Sequence, residues 1–495
     1  RFAGPVAEHH DGFSMWDSQV NEWNSVDKGP GLDLLRIFRD AIRAKDMKLL
    51  VAMHHAYNFT GFYDHVPAQS DASLRKLYGQ LGAAQQNQLW YDKLKEVVDR
   101  AEPDIIWQDF DLSKVDERQR LNFLSYYYNQ ANRWGREVVA TYKDGFNTKG
   151  AVFDYERGGP ADIQHPYWLT DDAISSSSWS YTNGIRYYSS AAMLHSLIDR
   201  VSKNGNMLLN ISPTADGTIP QGQRDVLGAI GGYLKRNGES IYSTRAWSTF
   251  GEGPTKMGGG SFVRPRAGTA QDIRYTRSKD NTTLYATVLG WPGDGTQLNL
   301  ASLASGEVDL SGLRRVELIG DAPGTYLNLP TRTQDANGLR ITLPSTQPYP
   351  ALAYVVKLTF NGQIGAGGGS TGRLLATAAG RCLDVPARSQ AVGTPVSIYD
   401  CNGGPNQQWT HLPTGALQVY GTRCLSAPAG ATAGAAATID ACTGGTHQQW
   451  TVNADGTVVN RASGLCLDVY GARTANGTPV DVYPCNGRAN QRWSR

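Results

Sequence analysis

Residues 1 to about 240 alternate short apolar runs with amphipathic stretches. Leu34, Leu35, Phe38 and Ile42 share one helical face and lead into the apolar run 48–53. Leu89, Leu94, Val97 and Val98 form a second such face, and Pro103 stops that helix ahead of a strand at 105–109. A helix through the 120s precedes a strand at 137–142, and one over about 189–203 precedes a strand at 207–211. This is the rhythm of βα units feeding a parallel sheet. About six strands can be placed, whereas a (β/α)8 barrel has eight. The run Arg1-Phe2-Ala3-Gly4-Pro5-Val6-Ala7 reads as a strand with nothing before it. The natural chain is therefore expected to start earlier, with the first barrel strands ahead of Arg1.

From about Ile241 helical faces give way to short alternating runs, such as 283–288 and 353–358, separated by Gly, Pro, Asn and Asp. That is a β-sandwich pattern. Residues 361–372 form a Gly-rich linker. A threefold repeat of roughly 40 residues follows. Its units carry Cys382-Leu383-Asp384, Cys424-Leu425-Ser426 and Cys466-Leu467-Asp468, and close on Gln407-Gln408-Trp409, Gln448-Gln449-Trp450 and Gln491-Arg492-Trp493. Three β-rich copies ending in Gln-x-Trp pack as a three-lobed barrel around the tryptophans. The expected division is a catalytic β/α barrel over 1–240, a β-sandwich over 241–360, the linker over 361–372 and a trefoil over 373–495.

The net charge of +2 gives no reason to expect nucleic acid as a partner, and no apolar run reaches membrane-spanning length. All six cysteines, Cys382, Cys401, Cys424, Cys442, Cys466 and Cys485, lie in the repeat, in three pairs of nearly equal spacing. Even pairing favours three disulfides, hence a secreted protein. The 12 tryptophans and 24 tyrosines suit sugar stacking as well as core packing.

The Gln-x-Trp repeats resemble a ricin-B-type β-trefoil lectin. The resemblance implies one shallow sugar pocket per lobe, built from Asp384, Tyr399, Asn406 and Gln407 in the first and Asp468, Tyr483, Asn490 and Gln491 in the third. A carboxylate and amides would bind adjacent hydroxyls while the ring stacks on the apolar sugar face. The second lobe departs from this, with Ser426, Asp440 and His447 in the corresponding places, and is expected to bind poorly.

The stretch Asp104-Ile105-Ile106-Trp107-Gln108-Asp109 is a strand that ends by delivering an acid. By itself it leaves open a nucleophile or a structural aspartate capping the next helix. Residues 1–250, however, resemble the family 29 α-L-fucosidases. The resemblance rests on Glu8-His9-His10-Asp11-Gly12-Phe13, Trp16-Asp17-Ser18, Trp107-Gln108-Asp109, Trp179-Ser180-Tyr181, Asn204–Asn210 and Gly238-Glu239-Ser240-Ile241-Tyr242, in that order. It implies Asp109 as the nucleophile of a retaining glycosidase and His9, His10, His54, Trp107 and Trp16 as substrate contacts, with His55 or Tyr57 as alternatives to His54. Where other members carry an arginine, this chain has Lys143. No cofactor is implied. A metal on His9 and His10 lacks a third ligand at fixed spacing, so none is expected.

A retaining glycosidase needs a second carboxyl. The best candidate is Glu156, after the apolar run 151–153, with Asp171 and then Asp172 as rivals. Arg157 would lower the Glu156 pKa or simply pair with it; burial would raise it. Leu169 stands where some members of the family carry the acid/base glutamate, which leans the assignment to Glu156 and the linkage to α-1,3/1,4. The expected activity is exo-hydrolysis of fucosylated oligosaccharides or glycoconjugates, with the trefoil holding a glycan. The alternative is a carbohydrate-binding protein on a fucosidase scaffold that has lost turnover.

Overall fold

The computed structural model describes residues 1–56, 66–146, 150–305, 307–364, 370–412, 415–453 and 455–494. The chain divides into two compact units, Arg1–Gly231 with Thr255–Ala267, and Gly232–Pro254 with Gly268–Arg495.

In the first unit the strands β1 (Phe2–Ala3), β2 (Val6–Glu8), β3 (Lys48–Met53), β4 (Ile105–Gln108), β5 (Val139–Tyr142), β6 (Val152–Glu156), β7 (Trp168–Ala173) and β8 (Gly205–Asn210) form one parallel sheet. β1 and β2 both pair with β3, so they are one strand position interrupted at Gly4-Pro5. A Cβ on Gly4 would lie 1.8 Å from the Leu50 carbonyl oxygen, so only glycine lets the chain pass so close. The order then runs β3-β4-β5-β6-β7-β8. Helices α1 (Leu34–Arg43), α2 (Ala72–Leu77), α3 (Ala83–Ala101), α4 (Glu117–Trp134) and α5 (Ser190–Ser202) lie between strands, and α6 (Gln221–Asn237), which begins in this unit, follows β8; among the described residues β5, β6 and β7 follow one another without a helix, and elsewhere the order is that of a (β/α)8-type barrel.

Local chemistry sets the helix ends. The Asp33 carboxylate accepts the Arg36 amide at the start of α1. α4 stops at Gly135 in the left-handed region. Trp90, Val97 and Val98 of α3 and Phe123 and Tyr127 of α4 bury against Leu49, Val51 and Ile106 of the sheet. Leu35 and Ile42 of α1 join this core, but Phe38, expected on the same face, is 47% exposed.

The apolar pattern leaves one strand unmarked. Residues 168–173 are β7, buried at every position. Asp171 and Asp172 hide it, because two carboxylates in a strand interior contradict its apolar signature. Each finds a cation: Arg200 lies 2.7 Å from Asp172 and Lys143 3.3 Å from Asp171.

The second unit contains an antiparallel sheet of Tyr326–Asn328, Leu313–Ile319, Tyr354–Phe360, Thr283–Val288, Ile273–Ser278 and Thr244–Glu252 in that order, and a three-stranded sheet of Gln297–Leu300, Gly338–Thr342 and Arg332–Asp335. Leu284, Leu298, Val316, Ile341 and Val356 share one core between them. Of the expected linker, 365–369 lie outside the described residues, while Ser370–Gly372 pairs with Trp409–His411.

The threefold repeat is a three-lobed β structure. Disulfides join Cys382 to Cys401, Cys424 to Cys442 and Cys466 to Cys485. Trp409, Trp450 and Trp493 are core, and their indole N–H groups donate to the carbonyls of Leu383, Leu425 and Leu467 at 2.9, 2.9 and 3.0 Å. One hydrogen bond repeated three times explains why the Leu and Trp positions agree between copies. No helix of the described residues is long and apolar enough to cross a membrane.

Candidate active site

The C-terminal ends of the strands bring charged and aromatic side chains together. β2 leads to His9 and His10, β3 to His54, and β4 supplies Trp107 and ends just before Asp109. β5 leads to Lys143, β6 carries Asp154 and Glu156, and β7 carries Asp171. Asp154 and Glu156, two residues apart, face the same side of β6. Glu156 pairs in register with Asp171 and Asp154 with Leu169.

Lys143 is the hub. Its Nζ lies 3.1 Å from Asp109 Oδ1, 3.0 Å from Glu156 Oε2, 3.3 Å from Asp171 Oδ1 and 3.9 Å from Asp154 Oδ2. It also sits over the rings of Trp107 and Phe110, at 4.9 and 4.5 Å from their centroids. The other oxygen of Asp109 is held by His54 Nδ1 at 2.8 Å and His10 Nε2 at 3.1 Å. Trp107 donates its indole N–H to Asp154 Oδ2 at 2.9 Å.

These contacts separate the carboxyls electrostatically. Burial alone would raise Asp109, but the hydrogen bond from His54 and the charge of Lys143 hold it well below the usual carboxylate range. Burial raises Glu156 above its ordinary value; Lys143 opposes this, and the charges of Asp171 and Asp109 reinforce it. Burial also raises Asp154 and Asp171. Burial disfavours the Lys143 ammonium, yet the surrounding carboxylates hold it firmly protonated. His10 is pushed down to about 4, by burial first and then by His9 and His54. Lys143 thus joins one carboxyl held below its ordinary value and one pushed above it, the kind of separation that sets two carboxyls to different tasks.

His9 completes a histidine cluster, with ring centroids 4.4 Å from His10 and 4.3 Å from His54. His54 Nε2 is buried without a hydrogen-bond partner, so a ligand hydroxyl would satisfy it. The nitrogens of His9, His10 and His54 all lie within 4.8 Å of one another, which brings together the third ligand that sequence spacing did not offer a metal.

Behind this cluster stands a layer that the sequence reading missed. Glu8 Oε1 is 2.6 Å from His55 Nδ1 and Glu8 Oε2 is 2.8 Å from Lys93 Nζ, with all three side chains essentially buried. Burial works against the Glu8 carboxylate, but Lys93 and His55 overcome it and lower its pKa to about 2. Its signal was a lysine on the apolar face of α3, between Leu89 and Leu94. His55 is thereby occupied, leaving His54 as the histidine of this strand end that meets Asp109; Tyr57 lies outside the described residues.

Several expected contacts fall elsewhere. Trp16 is fully buried in the core and donates its indole N–H to Glu96 at 2.9 Å, so it presents no surface to a ligand. Asp172 points away from Lys143 toward Arg200. Arg157 lies 3.9 Å from Asp172 and over the Trp179 ring, so the cation at Glu156 is Lys143. Leu169 packs with Leu50, Ala52 and Trp107 in a small apolar cluster.

In the first trefoil lobe Asp384 Oδ1 accepts from Asn406 and Gln407 at 2.6 and 2.9 Å; in the third, Asp468 accepts from Asn490 and Gln491 at 2.9 and 2.8 Å. Tyr399 and Tyr483 are 44% and 45% exposed, open for stacking. Gln407 and Gln491 are fully buried, so they orient the aspartates instead of touching a ligand themselves. In the second lobe Gln448 keeps the same backbone contacts, but Ser426 stands in place of the carboxylate.

Residues 1–239 match the family model described as Alpha-L-fucosidase, residues 267–359 the Alpha-L-fucosidase C-terminal domain, and residues 370–493 the Ricin-type beta-trefoil lectin domain. Plasma alpha-L-fucosidase of Pongo abelii is 28% identical over 354 residues, 68% of each chain. Alpha-L-fucosidase of Dictyostelium discoideum is 28% identical over 375 residues, 72% of each. The crystal structure of Thermotoga maritima alpha-fucosidase in complex with fucose superposes with a TM-score of 0.54 at 23% identity, covering 72% of this chain and 75% of that one. Alpha-L-fucosidase isoenzyme 1 from Paenibacillus thiaminolyticus gives 0.55 at 23%, covering 73% and 83%. These structural likenesses carry the fold.

Proposed function

The chain belongs to the alpha-L-fucosidase family of glycoside hydrolases and carries a ricin-type β-trefoil, and from that premise we propose a secreted, retaining, exo-acting α-L-fucosidase that its trefoil targets to glycans. The observation that carries the retaining mechanism is the Lys143 bridge. The two oxygens it joins, one on Asp109 and one on Glu156, can be no more than about 6 Å apart, short of the roughly 6.5–9.5 Å that an inverting pair leaves for water.

In this reading Asp109 attacks C1 of fucose while protonated Glu156 gives its proton to the departing glycosidic oxygen. The C1–oxygen bond breaks as the C1–Asp109 ester bond forms. Glu156, now ionised, takes a proton from water, which attacks C1 as the C1–Asp109 bond breaks; Asp109 leaves as carboxylate and fucose departs with its original anomeric configuration. His9, His10 and His54 bind fucose hydroxyls, and Trp107 walls the apolar side of the ring. Lys143 steadies whichever carboxylate is ionised at each stage. The three disulfides support secretion, since such bonds persist in oxidising compartments. Asp384 with Tyr399 and Asp468 with Tyr483 are the proposed lectin contacts. Leu169, in its apolar cluster, supports a lean toward α-1,3/1,4 linkages; relative rates on α-1,2, 1,3, 1,4 and 1,6 disaccharides test it.

Proton NMR of the first fucose released from an aryl α-L-fucoside tests the mechanism. The α anomer is expected; the β anomer would mean inversion. Asp171 shares Lys143 with Glu156, 3.3 Å from its Nζ, and is the nearest rival acid. Azide restoring activity to Asp171→Ala but not to Glu156→Ala would transfer the role.

A further inference from the structure

Strand β6 ends on Glu156, and a distant stretch of chain is stitched onto that end. The Phe262 amide donates to the Glu156 carbonyl at 2.6 Å, and the Glu156 amide donates to Ser261 Oγ at 3.2 Å. Beside them, the Gly159 amide donates to the Gly260 carbonyl at 3.1 Å, and the Gly259 and Gly260 amides donate to the Gly159 carbonyl at 2.8 and 2.9 Å. A Cβ on Gly158 would lie 2.1 Å from the Gly260 carbonyl oxygen, so glycine is what lets the two stretches meet. Thr255–Ala267 belongs to the first unit, although the residues before and after it belong to the second. The buried Lys203 ammonium holds it too, donating to the Met257 carbonyl at 2.7 Å. What this anchored stretch presents is Phe262. Its side chain is 65% exposed, more than any other large apolar side chain among the described residues. Its backbone is left-handed, with φ at 60°, a conformation that a bulky residue keeps only when its surroundings impose it.

We propose that Phe262 is a specificity-determining contact for the leaving group, stacking on the apolar face of the pyranose from which fucose is cleaved. The proposal deepens the reading above and rests on it for Glu156 as the acid. In that reaction fucose lies among His9, His10, His54 and Trp107, and the departing sugar begins at the oxygen that Glu156 protonates. The residue bonded to the Glu156 backbone therefore stands beside the place that this sugar takes. A phenyl ring offers it no hydrogen bond, only a flat apolar face, and the C–H face of a pyranose is what such a ring can cover. The hydrogen bonds at residues 156–159 hold Phe262 in its strained backbone before any sugar arrives, so little order is lost on binding.

Two substrates separate this contact from the chemistry. A fucosyl disaccharide carries a leaving sugar, and α-L-fucosyl fluoride carries none. In Phe262→Ala the ratio of kcat/KM on the disaccharide to kcat/KM on the fluoride should fall by about 10-fold, the worth of one stacked ring. Phe262→Tyr, which keeps a ring, should restore most of it. Phe262→Gly separates the ring from the backbone, because glycine takes the left-handed conformation without strain. It should show the same fall as Phe262→Ala with a higher Tm. A parental ratio in both the alanine and glycine variants overturns the proposal, as does a fall in Phe262→Ala that Phe262→Gly reverses, since that would trace to the backbone. Azide rescue of Glu156→Ala keeps the two readings apart. If rescue succeeds and the ratio holds, this proposal alone fails. If rescue fails and the ratio falls, the acid lies elsewhere while Phe262 still meets the leaving sugar.

Discussion

Lys93 and Glu8 form a 2.8 Å ion pair with neither side chain exposed, and the pair backs the His9-His10 turn and His55. A buried pair that loses one member leaves an uncompensated charge. Lys93→Met or Glu8→Gln should therefore lower stability by about 3–5 kcal/mol in urea denaturation, and removing both should cost less than the sum. Equal losses in a simple sum would mean that the two side chains act independently.

The same carboxylate sets an acid limit. Its folded pKa, about 2, lies below the ordinary value of 4.5. Between these values the unfolded chain binds more protons, so this contribution is complete above pH 4.5 and is lost as pH falls toward 2. Stability curves of the parent and Glu8→Gln should converge over that window. Parallel curves would contradict the assignment.

For catalysis, Glu156→Ala should lose about 10²–10⁴-fold on an unactivated fucoside, less on an aryl fucoside with a good leaving group, and recover with azide. Because Glu156 is raised above its ordinary value, the basic limb of kcat/KM should lie above pH 4.5 and vanish in Glu156→Gln. As pH falls, His10, at about 4, gains a proton before Asp109 does, so the acid limb should move in His10→Asn. An unmoved limb would remove His10 from the titration.

In the trefoil, glycan binding should reside in the first and third lobes. Tyr399→Ala with Tyr483→Ala should abolish retention on immobilised glycan while leaving aryl-fucoside turnover intact. His447→Ala should change neither. Retention by the double tyrosine variant would move the lectin contacts elsewhere.

What the sequence disclosed follows from what each residue must satisfy locally. The run 48–53 is legible as a strand because five of its six residues are buried and apolar. Asp109 is legible because a strand ends just before it, and the trefoil because its packing repeats three times. β7 is not legible, since Asp171 and Asp172 are made tolerable by Lys143 and Arg200 from other elements. Asp154 and the Glu8–Lys93 pair share that difficulty: their partners lie far away in sequence, and pairing leaves no spacing to read. Trp16 shows the converse, a residue within a distinctive motif that serves the core through Glu96.

The central claim is that Asp109 forms a covalent bond to fucose. Incubation with 2-deoxy-2-fluoro-α-L-fucosyl fluoride, followed by intact-mass and peptide analysis, tests it directly. One deoxyfluorofucosyl group on the peptide containing Asp109, absent in Asp109→Ala, is the expected result. Hydrolysis without any trapped adduct, or an adduct on Glu156 or Asp171, would contradict it.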